Sequence, residues 1–186
     1  IILTVSGFYI PRKPASPGFW LRMKGVFSRS GFSIRISPGV WLGIALVMLA
    51  LFFRFGQLGE IPGEMFSDHA EKLMDVMDVL NGQTSIFFPR NTGREAIQMY
   101  LTAFISIAAG TGISFMSLKL GTALAGFLTL PFIYLVAKEI GGKRLGVIAF
   151  FLAAIAYWPN VISRVGLRFP LYPLFVAPMM YFLVKG

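Results

Sequence analysis

The chain has 186 residues, 56% of them hydrophobic and only 13% charged, and its formal net charge is +9. This is too apolar and too charge-poor for an ordinary soluble domain. Its basic residues punctuate apolar runs and are not interleaved with aromatics on a polar surface, which argues against nucleic acid as a partner, and the absence of cysteine excludes disulfides and thiolate metal sites.

Ile1–Ile10 is apolar, but no basic segment precedes it, so it does not read as a signal peptide. Arg12, Lys13, Arg22, Lys24, Arg29 and Arg35 follow with no acidic residue among them. The positive-inside rule assigns this segment, residues 1–37, to the cytoplasm. With Ile1 at one end and Gly186 just after an apolar run at the other, the chain reads as a fragment of a longer polytopic protein.

Val40–Phe53 is uncharged and apolar, with Pro38 and Gly39 before it and Arg54 after it. Its rise of about 21 Å falls short of a hydrocarbon core of about 30 Å. The predicted span therefore extends over Pro38–Gln57, with Arg54 snorkelling to the interface. Leu120–Ala137 and Leu145–Ile162 carry no charge, and each would rise about 27 Å as a helix. Phe169–Val184 is shorter and carries Pro170, Pro173 and Pro178. It is predicted to span as well, because neighbouring helices satisfy the carbonyls that proline frees.

Ile97–Ser117 is also uncharged, but Gly110–Gly112 interrupts it. Charge sidedness decides its reading. The basic loop "AKEIGGKRL", with Lys138, Lys143 and Arg144, falls inside only if Ile97–Ser117 does not span. Arg94–Ala109 is therefore expected to be interfacial. The predicted fold class is an all-α polytopic membrane protein with about four spanning helices: Pro38–Gln57, Lys119–Ala137, Leu145–Ile162 and Phe169–Val184. Residues 58–118 form an outer loop that carries juxtamembrane helices, and seven of the eight carboxylates fall in it.

Within that loop, Asp68–Leu80 reads as an amphipathic helix. Leu73, Val76, Met77 and Leu80 form its apolar stripe, and Asp68, Glu71, Asp75 and Asp78 a solvated face. Ser67 or Asp68 is the expected cap, and Asp68-x-x-Glu71 resembles a capping box. His69, the single histidine, is expected to be exposed. Arg94 and Glu95 stand where an apolar helix is predicted to start, as an anchor pair or a site for a lipid phosphate. Arg164 and Arg168 are four apart, which would place them on one helix face; they read as headgroup anchors or as phosphate ligands.

The order of the segments "RFGQLGEIPGEMFSDHAEKL", "NGQTSIFFPRNTGREAIQMYL", "SLKLGTALAGFLTLPFIYLVAKEIGGKRLG" and "SRVGLRFPLYPL" resembles the N-terminal module of glycosyltransferase family 39. That family has the GT-C fold and includes protein O-mannosyltransferases and aminoarabinose transferases. The resemblance covers roughly 37–185. It implies an enzyme of the inner or plasma membrane, multi-pass with a cytoplasmic N-terminus. Such an enzyme moves a sugar from a polyprenyl-phosphate donor to a lipid, glycan or protein acceptor on the outer face, among membrane lipids. Asp68 matches the family's catalytic carboxylate, with Glu95 as a second candidate. Arg94, Lys119, Arg164 and Arg168 are the candidate phosphate-binding residues. A divalent ion, Mg2+ or Mn2+, is the cofactor the resemblance brings into consideration, with Asp68 its strongest candidate ligand. The chain departs from the family in having His69 where an acid often follows the Asp, and no acid in "SRVGLR". The family carries further helices and often a soluble domain beyond this module, so the module alone is expected to be inactive. The rival readings are a transporter or lipid flippase, which needs charges at mid-membrane, and a non-catalytic membrane subunit.

Overall fold

The computed structural model describes residues 37–90 and 93–186, so the basic segment expected to be cytoplasmic lies outside the described residues except for Ser37. Among the described residues the chain is mostly helical. Six helices occur in the order α1 (Pro38–Phe55), α2 (Ser67–Leu80), α3 (Ile97–Ala108), α4 (Phe115–Ile155), α5 (Tyr157–Arg164) and α6 (Leu171–Lys185). Two short strands, β1 (Phe87–Phe88) and β2 (Arg94–Glu95), pair antiparallel between α2 and α3, with Phe87 opposite Glu95 and Phe88 opposite Arg94. By length and composition, α1 and α4 are long and apolar enough to cross a membrane.

Helix α4 is the element around which the others pack, touching α1, α3, α5 and α6. It consists of two arms joined at Gly141 and Gly142, where the backbone leaves helical geometry. Gly142 has φ +77°, a conformation glycine adopts without the Cβ penalty of other residues. The arms fold back on each other. Gly146 lies against Tyr134, and Leu130 and Ala154 share a buried cluster with Ala50 of α1. The predicted loop "AKEIGGKRL" is thus a tight helical corner.

The gap after α3 follows the glycines. Gly110 and Gly112 both take positive φ, and α4 then starts from a Ser114 cap that exchanges hydrogen bonds with Ser117. Helix α3 has 12 residues, about 18 Å, which is short of a hydrocarbon core of about 30 Å. Its start differs from expectation, because Arg94 and Glu95 lie in a strand and the helix begins at Ile97.

The expected helix Leu145–Ile162 is broken. Helix α4 ends at Ile155, Ala156 is extended (φ −59°, ψ 135°), and α5 restarts at Tyr157. Pro159 explains the break: in a continuous helix its ring would collide with the Ile155 carbonyl four residues back. Asn160 Nδ2 donates to the Ala154 and Ala156 carbonyls at 2.8 Å each, which satisfies groups left open at the helix end. Arg54 does not snorkel. It is 2% exposed and donates from Nη1 to Asn160 Oδ1 at 2.6 Å, tying α1 to the same break.

Gly126 permits this close approach of α4 to α5. A Cβ there would fall 2.2 Å from Ser163 Oγ and 2.8 Å from Ser163 Cβ. We expect Gly126→Ala to cost roughly 1–3 kcal/mol through overpacking. Gly43→Ala, where nothing lies within 4 Å, is the control. Thermal unfolding in detergent checks this: a lower midpoint for the first variant and not the second is expected.

Candidate functional site

The site begins with the way α2 lies. Its buried residues are His69, Lys72, Asp75 and Val76, while Met74, Met77 and Leu80 are exposed. This reverses much of the expected amphipathic assignment. The physical reason is that partners from elsewhere in the chain meet the polar groups one by one. Arg90 Nη1 donates to Asp75 Oδ1 at 2.6 Å and also to Asp78. Asp75 is fully buried, so it does not belong to a solvated face.

His69 is also fully buried, in contrast to its expected exposure. Its ring lies between Phe66, which meets it edge-on, and Phe115, which is tilted against it, with centroids 4.1 and 4.6 Å away. Its Nδ1 accepts the Phe66 backbone N–H at 3.2 Å, so Nε2 carries the proton and donates to the Val165 carbonyl at 2.7 Å. The helix cap is therefore Phe66, served by the His69 ring, and not a Ser67 or Asp68 side chain.

That bond pins the loop after α5. Gln98 Nε2 of α3 pins it again through the Gly166 carbonyl at 2.8 Å. Gly166 has φ +79°, and a Cβ there would come 3.2 Å from the Phe115 ring and 3.3 Å from Leu118. Because α5 ends at Arg164, Arg164 and Arg168 do not share a helix face. Arg168 turns to Glu95 (2.7 Å), and Arg164 turns to the Phe53 and Ile61 carbonyls (2.9 and 3.1 Å).

The hairpin delivers Arg94. Successive residues of a strand point to opposite sides, so Arg94 and Glu95 separate. Arg94 is 4% exposed and bonds Glu71 at 2.7 Å, whereas the Glu95 side chain is 60% exposed. Gly93 makes the turn possible, with φ +98° and no room for a Cβ against the Phe87 ring.

These placements create a polar cavity of about 250 Å³ lined by Asp68, Lys72, Gly93, Arg94, Leu167, Arg168 and Phe169. Of the residues picked out in the sequence, Asp68, Arg94 and Arg168 come together here. Glu95 stands behind Arg168 and outside the lining. Lys119 is elsewhere, with Nζ donating to the Gly59 and Pro62 carbonyls (3.2 and 3.0 Å) and lying over the Phe115 ring. Lys119 and Arg164 thus hold the chain between α1 and α2. The sequence reading missed Lys72, although its place four residues after Asp68 puts both on one side of a helix.

No family model, curated protein or solved structure matches the chain. The chemistry of the site is therefore read from its own residues. Burial pushes Lys72 down to about 8, with Arg94 and Arg168 adding repulsion that Asp68 and Glu71 oppose. Three cations face Asp68, and both neighbouring carboxylates, Glu71 and Glu95, are tied to arginines. This donor set suits an anion and does not fit a divalent cation. Among the described residues no cluster of three or more metal-ligating side chains occurs.

Burial, more than any neighbouring charge, lowers the pKa of His69 below 6.5. A histidine whose folded pKa lies below its unfolded value contributes stability that is present above about pH 6.5 and lost as pH falls below it. Protonating Nδ1 would also remove the acceptor for Phe66. We expect thermal stability to decline below about pH 6.5 in the wild type and His69→Gln to flatten that decline. Melting curves across that range check both.

Proposed function

We propose that the chain is the N-terminal module of a multi-pass membrane glycosyltransferase resembling family 39. It moves a sugar from a polyprenyl-phosphate carrier to an acceptor on the outer membrane face. In this reading α1, the two arms of α4 and α6 cross the membrane. The Gly141–Gly142 corner is cytoplasmic, where Lys138, Lys143 and Arg144 satisfy the positive-inside rule. The observation that carries the reading is the cavity that gathers Asp68 with Lys72, Arg94 and Arg168.

The chemistry follows from that gathering. The acceptor's hydroxyl or amine attacks the anomeric carbon, and Asp68 takes its proton. The bond between that carbon and the phosphate oxygen breaks, and the electron pair leaves with the phosphate. Arg94 and Arg168 are placed to stabilise the charge that grows there. Glu95, exposed and paired with Arg168, serves as a positioning residue in this scheme. No step is assigned to a metal, because the donor set does not fit one.

Sugar transfer from a labelled polyprenyl-phosphate sugar, measured in membranes with the full-length protein, tests the reading. Asp68→Asn is expected to lower transfer about 100-fold or more at unchanged expression, the scale of a lost general base. Unchanged transfer would remove Asp68 from the mechanism.

A further inference from the structure

Helix α1 and the two arms of α4 meet at the buried cluster of Ala50, Leu130 and Ala154. Toward the Gly141–Gly142 corner they part and leave an apolar cavity of about 320 Å³. Every residue that α1 lends to it precedes Ala50, those of the first arm follow Leu130, and those of the second arm precede Ala154. The cavity therefore lies wholly on the corner side of that seal. Along α1 it runs from Gly39 to Val47, about 12 Å, which is most of one leaflet's half of a roughly 30 Å hydrocarbon core. Tyr134 and Phe150 line it from the two arms, and Gly43 hollows its α1 wall, with nothing within 4 Å of where a Cβ would stand. One charged residue lines it. Lys143 is also exposed, which places it at the mouth. Lys138 and Arg144 are exposed on the same corner, against the single acid Glu139. Among the described residues none of these three cations makes an ion pair.

We infer that this cavity holds one acyl chain of an anionic phospholipid, whose headgroup Lys143 binds at the cytoplasmic surface. The inference goes beyond the transferase reading and needs no sugar transfer. It takes from that reading only the placement of the α4 corner at the membrane surface. Charge decides the occupant. Basic pockets between spanning helices on the cytoplasmic side recognise anionic headgroups, and here the pocket continues inward as a slot of apolar walls. An empty slot forfeits van der Waals contacts that a hydrocarbon chain restores. A zwitterionic lipid would fill the slot as well, but it brings a cation of its own to a corner that already has three. An apolar protein segment would fill it too and leave those cations without a counter-charge. Gly43 gives the chain its room, and Lys143 gives the site its preference for a negative headgroup. The corner is also far from the cavity of Asp68: the first arm of α4 runs about 39 Å from Phe115, which packs against His69, to Gly141.

Photocrosslinking of the full-length protein in lipid nanodiscs tests the site. The probe is phosphatidylglycerol with a diazirine midway along one acyl chain, and phosphatidylcholine with the same chain is the second arm. Adducts are read peptide by peptide against those of α6, whose Phe175 and Phe182 are exposed. Phosphatidylglycerol is expected to label peptides containing Leu42–Val47 and Val147–Phe150 about fivefold more than phosphatidylcholine does, the weight of one lysine near an anionic surface. Lys143→Gln is expected to remove that excess, and Gly43→Phe, which puts a ring into the slot, to remove the adducts themselves. Equal labelling by the two lipids would overturn the inference, because the slot would then hold ordinary hydrocarbon. Labelling by neither would also overturn it and identify a protein segment as the occupant. An excess that survives Gly43→Phe would place the lipid outside the cavity and overturn it as well. The comparison of the two lipids uses the wild-type protein, so a misfolded variant does not affect it. Both leaflets of the nanodisc have the same composition and no sugar donor is present, so the result is independent of the proposed orientation and of the transferase reading.

Discussion

Helix α2 turns His69, Lys72 and Asp75 inward, and a buried polar group must find a partner or carry the full cost of leaving water. This constraint organises the part of the molecule around α2. His69 reaches the Val165 carbonyl, Asp75 takes Arg90, and Glu71 takes Arg94. Each contact fixes a different segment to the same helix. The loop after α5 is held from one side and the hairpin from another, and Arg168 and Arg94 are brought to Lys72 as a result. The cationic cavity is a consequence of where the helix spends its polar groups.

A second polar anchor lies within the apolar helices. Arg54 is buried at the end of α1 and bonded to Asn160 just past the α4–α5 break. It helps line an apolar cavity of about 330 Å³ between α1, α4, α5 and α6. Phe169 lines this cavity and the polar one alike, so the two adjoin at the loop after α5. A charged polar pocket beside an apolar one is an arrangement suited to an anionic amphiphile.

Much of the helical order could be read directly from the chain. The apolar runs gave α1 and the first arm of α4, and Gly110–Gly112 gave the end of α3. The break at Ala156 was also written in Pro159, but a hydropathy reading passes over proline in an uncharged run. The face of α2 was not legible, because periodicity measures the average surround of a helix and not the individual partners of Asp75 and His69. Arg168 was legible as a cation among the carboxylates and Arg94 as a charge at the start of an apolar helix, whereas Asp68 was singled out by the resemblance. Arg164 carried the same signal as Arg168, Lys119 came from the resemblance, and only tertiary structure separates a cation bound to carbonyls from one lining a cavity. Lys72 was hidden among the charges of an apparently solvated helix.

The central claim is that the cavity between α2, the hairpin and the loop after α5 receives the carrier's phosphate. Photocrosslinking the full-length protein in membranes with a prenyl phosphate that bears a diazirine beside the phosphate tests it most directly. The account predicts adducts on peptides containing Asp68–Lys72, Gly93–Glu95 and Leu167–Phe169, competed away by unmodified prenyl phosphate. Adducts confined to the surroundings of Lys119 or the Gly141–Gly142 corner would contradict it.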